Sequence, residues 1–116
     1  MKYRNLFLLA VFALLLHACY DPGTVQVQNN INRAKVIDVK WGDHYIAGEL
    51  LPGESSSKVS IERRKEKLPS SNRVTFKLSA NNKVVFLESQ DEYELDEDED
   101  LLIVLDDDTP VRNPNE

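Results

Sequence analysis

The chain has 116 residues, 14 of them basic and 20 acidic, for a net charge of −6, and it holds one cysteine. That length fits one small domain. An acidic balance disfavours nucleic acid and anionic lipid as binding surfaces, and one thiol excludes an internal disulfide framework. The chain opens on Met1-Lys2-Tyr3-Arg4-Asn5, with two positive charges and no acid, followed by eleven apolar residues from Leu6 to Leu16. Such a run suits the hydrophobic region of a secretory signal. It falls short of the roughly 20 residues a spanning helix needs.

Ala18 follows, and then the lone Cys19. The stretch Leu16-His17-Ala18-Cys19 resembles the lipobox of bacterial lipoproteins, with leucine three places before the cysteine and a small residue just before it. His17 stands where that family commonly has a small or hydroxylated residue. The resemblance implies that residues 1–18 are a leader cut between Ala18 and Cys19. It also implies that the Cys19 thiol carries a diacylglyceryl group and that the new amine is acylated. Each buried CH₂ contributes about 0.8 kcal/mol, so two or three acyl chains on one residue make a lasting membrane anchor. A lipidated Cys19 has no thiol left for a disulfide. Tyr20 stands where the enteric sorting rule places an aspartate for inner-membrane retention, which points to the outer membrane of a Gram-negative cell. Losing Lys2 and Arg4 with the leader takes the net charge from −6 to −8.

The rest of the chain alternates apolar and polar residues with period two, the strand signal. Thr24–Asn29 sets Val25 and Val27 against Gln26 and Gln28. Lys35–Trp41 puts Ile37, Val39 and Trp41 on one face. Lys58–Arg63 turns Val59 and Ile61 inward. Arg73–Ser79 alternates most clearly, with Val74, Phe76 and Leu78 opposite Thr75, Lys77 and Ser79. Lys83–Ser89 and Leu101–Asp106 are nearly continuous apolar runs and read as central strands, although periodicity does not separate them from short helix. A further short strand lies near Tyr93-Glu94-Leu95. Asn81-Asn82 suits a tight hairpin, and Pro52-Gly53, Leu68–Asn72 and Asp96–Asp100 mark other turns. Six or seven short strands at this spacing predict an all-β antiparallel sandwich, with a small barrel as the commonest alternative.

The mature part is also similar to the small immunoglobulin-like lipoproteins of Bacteroidota. The segments carrying the similarity are "VQVQNN", "VIDVKWG", "LLPGESS" and "LLIVLDDDTPV". It implies an Ig-like antiparallel sandwich behind a lipid anchor. The expected organisation is a leader over 1–18, a lipidated tether over 19–24, the sandwich over 25–111 and a flexible tail over 112–116. The expected role is a non-enzymatic binding or accessory module of the cell envelope. Its partners would be the membrane, through Cys19, and an unidentified envelope protein, with no nucleic acid. The second reading is a ligand-binding lipoprotein for glycan or calcium.

Few residues offer chemistry. Beyond the leader His44 is the only histidine, and its neighbours Asp43 and Tyr45 would point away from it on a strand. No G-x-S-x-G, phosphate loop or histidine pair occurs, so no catalytic residue and no cofactor is expected, and His44 reads as an ordinary surface residue. Twelve acids and no base lie between Glu88 and Asp108. A calcium site there would use Asp96, Asp98 and Asp100, or the Asp106-Asp107-Asp108 turn. An EF-hand loop starting at Asp96 would need glycine where Leu101 stands, so the favoured reading is a solvated turn with no metal. Lys58–Lys83 carries eight bases and reads as a polar hairpin end or as a counterpart to the acids. Phe76 and Phe86 fit core positions, while Tyr20, Trp41, Tyr45 and Tyr93 are candidates for a partly exposed patch.

Overall fold

The computed structural model describes residues 22–115; the expected leader, the expected cleavage point Ala18/Cys19, the expected lipidation residue Cys19 and Tyr20 lie outside them. Ten strands follow in chain order: β1 (Gly23–Asn30), β2 (Lys35–Trp41), β3 (His44–Leu50), β4 (Val59–Ile61), β5 (Ser70–Asn72), β6 (Val74–Ala80), β7 (Lys83–Ser89), β8 (Tyr93–Leu95), β9 (Asp100–Asp106) and β10 (Val111–Arg112). No helix occurs among the described residues. A three-stranded sheet of order β4-β1-β9 packs as a β-sandwich against a five-stranded sheet of order β10-β7-β6-β2-β3, and β5 pairs with β8 in a small third ladder. The pairing is antiparallel except between β1 and β9, which run parallel. The expectation of an antiparallel sandwich therefore holds everywhere but at the seam between the first long strand and the last.

The core is what the alternation dictates. Val25 and Val27 of β1 point inward beside Ile103 and Leu105 of β9. Val36, Val39 and Trp41 of β2, Ile46 and Leu50 of β3, Ile61 of β4, Val74 and Phe76 of β6, Leu95 of β8 and the loop residue Leu68 complete the buried cluster. Each such side chain contributes about 1.5–3 kcal/mol by leaving water. β2 departs from strict alternation. Asp38 takes a left-handed φ of 52° and the register shifts there. That bulge turns Val36 inward and leaves Ile37 half-buried, correcting the expected facing of Ile37. Trp41 is fully buried rather than part of a surface patch. Its indole N–H donates to the Tyr93 carbonyl at 3.0 Å, which satisfies the one polar atom it carries.

Asn29 completes the inward row of β1 and is fully buried. Its amide nitrogen donates to the Ala34 and Leu50 carbonyls, both at 2.9 Å, and its oxygen accepts the Ile31 N–H at 2.9 Å. One side chain thus ties the β1–β2 connection and the end of β3 to the first strand.

The turns follow their residues. Gly42 opens the β2–β3 hairpin at φ 59°, where a residue with a Cβ would also strike the Asn72 side chain. Pro52-Gly53 forms a tight turn in which the Glu54 N–H donates to the Leu51 carbonyl at 2.9 Å, with Gly53 at φ 88°. Asn81 and Asn82 both adopt positive φ, 53° and 62°, and join β6 to β7 as predicted. Domain edges differ slightly from expectation: Gly23 and Thr24 already belong to β1, and Arg112 belongs to β10 rather than to a free tail.

Candidate interaction surface

β7 and β9 were expected to be central strands, and the structure places both at open edges. β10 pairs with β7 only at Val111–Ser89 and Arg112–Glu88. Along Lys83–Leu87 no strand covers that edge among the described residues. In the β6–β7 register Val85 faces Leu78, Leu87 faces Phe76, Phe86 faces Lys77 and Val84 faces Ser79. Opposed residues share a face, so Val85 and Leu87 continue the inner face while Val84 and Phe86 lie outside. Val84 is 60 % exposed, Val85 42 % and Phe86 39 %. Three successive apolar residues therefore meet solvent on both faces of a strand with a free edge. Phe86 is not in the core, contrary to the reading of its run. An apolar residue at every position is the mark of a strand covered on both faces; here most of the run is covered on neither.

β9 is the last strand of its sheet, paired on one side with β1. Ile103 and Leu105 point inward, while Leu102, half exposed, and Val104 point out beside Gln26 and Gln28. Acids bracket the strand, from Asp96 to Asp100 at its start and from Asp106 to Asp108 at its end.

The acids of the proposed calcium set do not gather. Asp100 accepts the Thr24 hydroxyl and pairs with Lys58 at 3.3 Å, contacts that hold its carboxyl below the usual range. Asp98 sits in the β8–β9 turn at φ 57°. Among the described residues no group of three or more histidines, cysteines or acids is arranged to hold a metal ion. The basic and acidic blocks meet in exposed pairs, Lys58–Asp100 and Arg73–Glu92 at 3.6 Å. Pairs of this kind are screened by salt and contribute little to folding.

His44 is not an ordinary surface residue. At the start of β3 its ring stacks on Trp41 with centroids 5.6 Å apart, and its Nε2 lies 3.4 Å from Glu66. Asn72 donates to the other Glu66 oxygen at 2.8 Å. Burial pushes the Glu66 carboxyl up, but hydrogen bonds from Ser70, Asn72 and His44 and attraction to His44 together hold it below its ordinary value. This knot fastens the Glu62–Lys67 segment to the β2–β3 hairpin. Because the folded-state pKa is depressed, its contribution is present above the carboxylate range and is lost as pH falls through the folded pKa. Glu66→Gln should therefore lower the denaturant midpoint at about pH 7, and the gap to wild type should shrink at an acidic pH below the depressed folded-state pKa, where the glutamate is neutral as well. An equal gap at both pH values would show that the ionised form contributes nothing.

A shallow polar depression of about 470 Å³ lies nearby, lined among others by Lys40, Asn72, Arg73, Thr75, Glu88 and Glu92. Lys40, Thr75, Glu88 and Arg112 stand in register across four strands, with Arg112 bridging Glu88 at 2.6 Å. Its lining contains no aromatic ring on which a sugar would stack. The candidate aromatics form no exposed patch among the described residues: Trp41 is buried, Tyr93 half-buried and Tyr45 exposed, and Tyr20 lies outside the described residues. Nothing in the sequence marked the β7 segment as exposed, and only the pairing partners of each edge reveal it. No protein-family model, curated protein or solved structure matches this chain.

Proposed function

We propose that this protein is a lipid-anchored lipoprotein of the cell envelope, held in the outer membrane by Cys19, whose domain acts as a non-enzymatic binding or accessory module. The observation that carries the binding role is the exposed apolar segment Val84-Val85-Phe86 on an open strand edge. Protein contact surfaces are built from such strands, because the free backbone groups add affinity and the side chains add selectivity. The anchor rests on the Leu16–Cys19 motif behind its basic and apolar leader. Gly23 already begins β1, so the lipidated residue stands four positions from the folded domain. That tether spans at most about 14 Å, and the module works close to the membrane surface.

An Ig-like class is part of the proposal, and the strand order supports it. The run β3-β2-β6-β7 follows the C′-C-F-G sequence of such domains, with buried Trp41 on the strand in the C position. β1 and β4 stand as B and E, while β9 fills the edge beside B from the other end of the chain.

Cys19→Ala tests the anchor. The variant should leave the detergent phase and accumulate either as a released domain or as an uncut precursor, read by phase partitioning and by mass. A variant that partitions and weighs like the wild-type mature form would refute the lipid anchor.

A further inference from the structure

We propose that the open edge of β9 takes up an extended peptide segment of opposite charge, a strand with apolar residues at two alternate positions and basic residues at both ends. This surface is distinct from the β7 segment, and the proposal depends neither on that segment nor on the lipid anchor.

The backbone of β9 is half used. The Glu99 carbonyl accepts the Thr24 N–H at 2.8 Å, so it points at β1. Backbone groups alternate sides along a strand. Leu101, Ile103 and Leu105 therefore also turn toward β1, while Leu102 and Val104 turn their N–H and C=O groups away from it. Asp106 shows the same parity at the far end. Its N–H donates to the Thr109 hydroxyl at 2.9 Å and its carbonyl accepts the Thr109 N–H at 3.2 Å, on the side away from β1. Among the described residues no strand covers the outward groups of Leu102 and Val104. The Thr109 turn closes the edge at Asp106, so a guest strand has its rungs at Leu102 and Val104 and leaves the ladder by Leu105. The side chains of the same two residues, 50 % and 36 % exposed, lie on the outer face, where apolar residues of the guest cover them.

Charge says what kind of strand fits. Four acids, Asp96 to Glu99, precede the free stretch, and three, Asp106 to Asp108, follow it. Lys58 already offsets Asp100 at 3.3 Å, but none of the acids in those two groups enters an ion pair among the described residues. The hydrogen bonds that the Asp106 and Asp107 carboxylates accept come from uncharged N–H and hydroxyl groups, so their charge stands. A second β9 paired on this edge would set acid against acid at both ends, the usual guard of an exposed strand. The same acids attract a strand whose ends are basic and fix where those ends lie. The segment Arg63–Lys67 of this chain is not that strand, because the Lys65 and Glu66 N–H groups donate to the Glu62 carbonyl and close it into a turn. Two rungs make a weak contact, and its charged part is screened by salt.

A designed peptide tests this. Full-length protein in an uncharged detergent is titrated into the fluorescent peptide KRTVTVTRK at low salt, and anisotropy is read. The peptide should bind, and added salt should weaken it. Amide exchange at Leu102 and Val104, followed by NMR, should be fast in the free protein and slow in the complex. A peptide with glutamate in place of every base should not bind. The basic peptide N-methylated throughout its central residues keeps its charge but cannot donate to the edge, and it should not bind either. The combined variant Glu97→Gln, Asp98→Asn and Asp108→Asn should bind the basic peptide about tenfold more weakly, as expected for three exposed charge contacts. No binding of the basic peptide, binding without slowed exchange at Leu102 and Val104, slowed exchange along β7 instead, equal binding of the methylated peptide, or undiminished binding by the combined variant would each overturn the proposal.

Discussion

Phe76→Ala should cost about 3–5 kcal/mol, the range for truncating a buried phenylalanine. The ring is essentially inaccessible, in the middle of β6, which pairs with both β2 and β7. A strand held on both sides cannot close the void by shifting, so the cavity persists and its lining loses contacts. Small domains have only about 5–15 kcal/mol in total, so the melting temperature should drop by tens of degrees, at roughly 4–8 °C per kcal/mol. Thr75→Ala is the control. Thr75 is the next residue, faces the other side of the same sheet and stands between Lys40 and Glu88. Its loss should cost no more than about 1 kcal/mol. Similar midpoint shifts for the two variants in denaturant would contradict the facing of β6.

Asn29→Leu should be comparably damaging although it adds apolar volume to the core. The substitution strands the Ala34 and Leu50 carbonyls and the Ile31 N–H, all bonded to Asn29 at 2.9 Å. Each buried polar group left without a partner costs about 1–3 kcal/mol, for an expected loss on the order of 3–5 kcal/mol. Hydrogen exchange should localise the damage, with faster exchange around Ile31–Ala34 and at the end of β3. A variant as stable as wild type would mean that the connection holds without its side-chain tie.

These two residues show what a reader of the sequence can and cannot see. Phe76 was legible because β6 alternates without interruption and both its neighbours are strands, so parity alone gives the facing. Asn29 was not, because a polar residue on the inward parity of β1 looks like the end of the buried row; its role depends on carbonyls from 5 and 21 positions away in the chain. Ile37 was misplaced by one bulged residue, Asp38, whose left-handed backbone has no signature in alternation. β3 escaped notice because Gly48 and Glu49 dilute a pattern whose buried positions are only Ile46 and Leu50. The edges failed for a different reason. The runs in β7 and β9 are as apolar as buried central strands, and the sequence does not record which neighbour each strand lacks. Candidate chemistry was legible mainly as scarcity. His44 was singled out from the inventory, but its stacking on Trp41 follows from the tight β2–β3 hairpin, and its contact with Glu66 comes from a segment more than 20 residues further on.

The proposed function requires a lipid anchor at Cys19, four positions before the first strand. The most direct measurement is the mass of the N-terminal peptide of the protein isolated from its native membranes. A lipid-anchored protein should give a peptide that starts at Cys19 and carries the added mass of a diacylglyceryl group and an amide-linked acyl chain. A peptide that starts at Met1, or one that contains Cys19 with a free thiol, would contradict it.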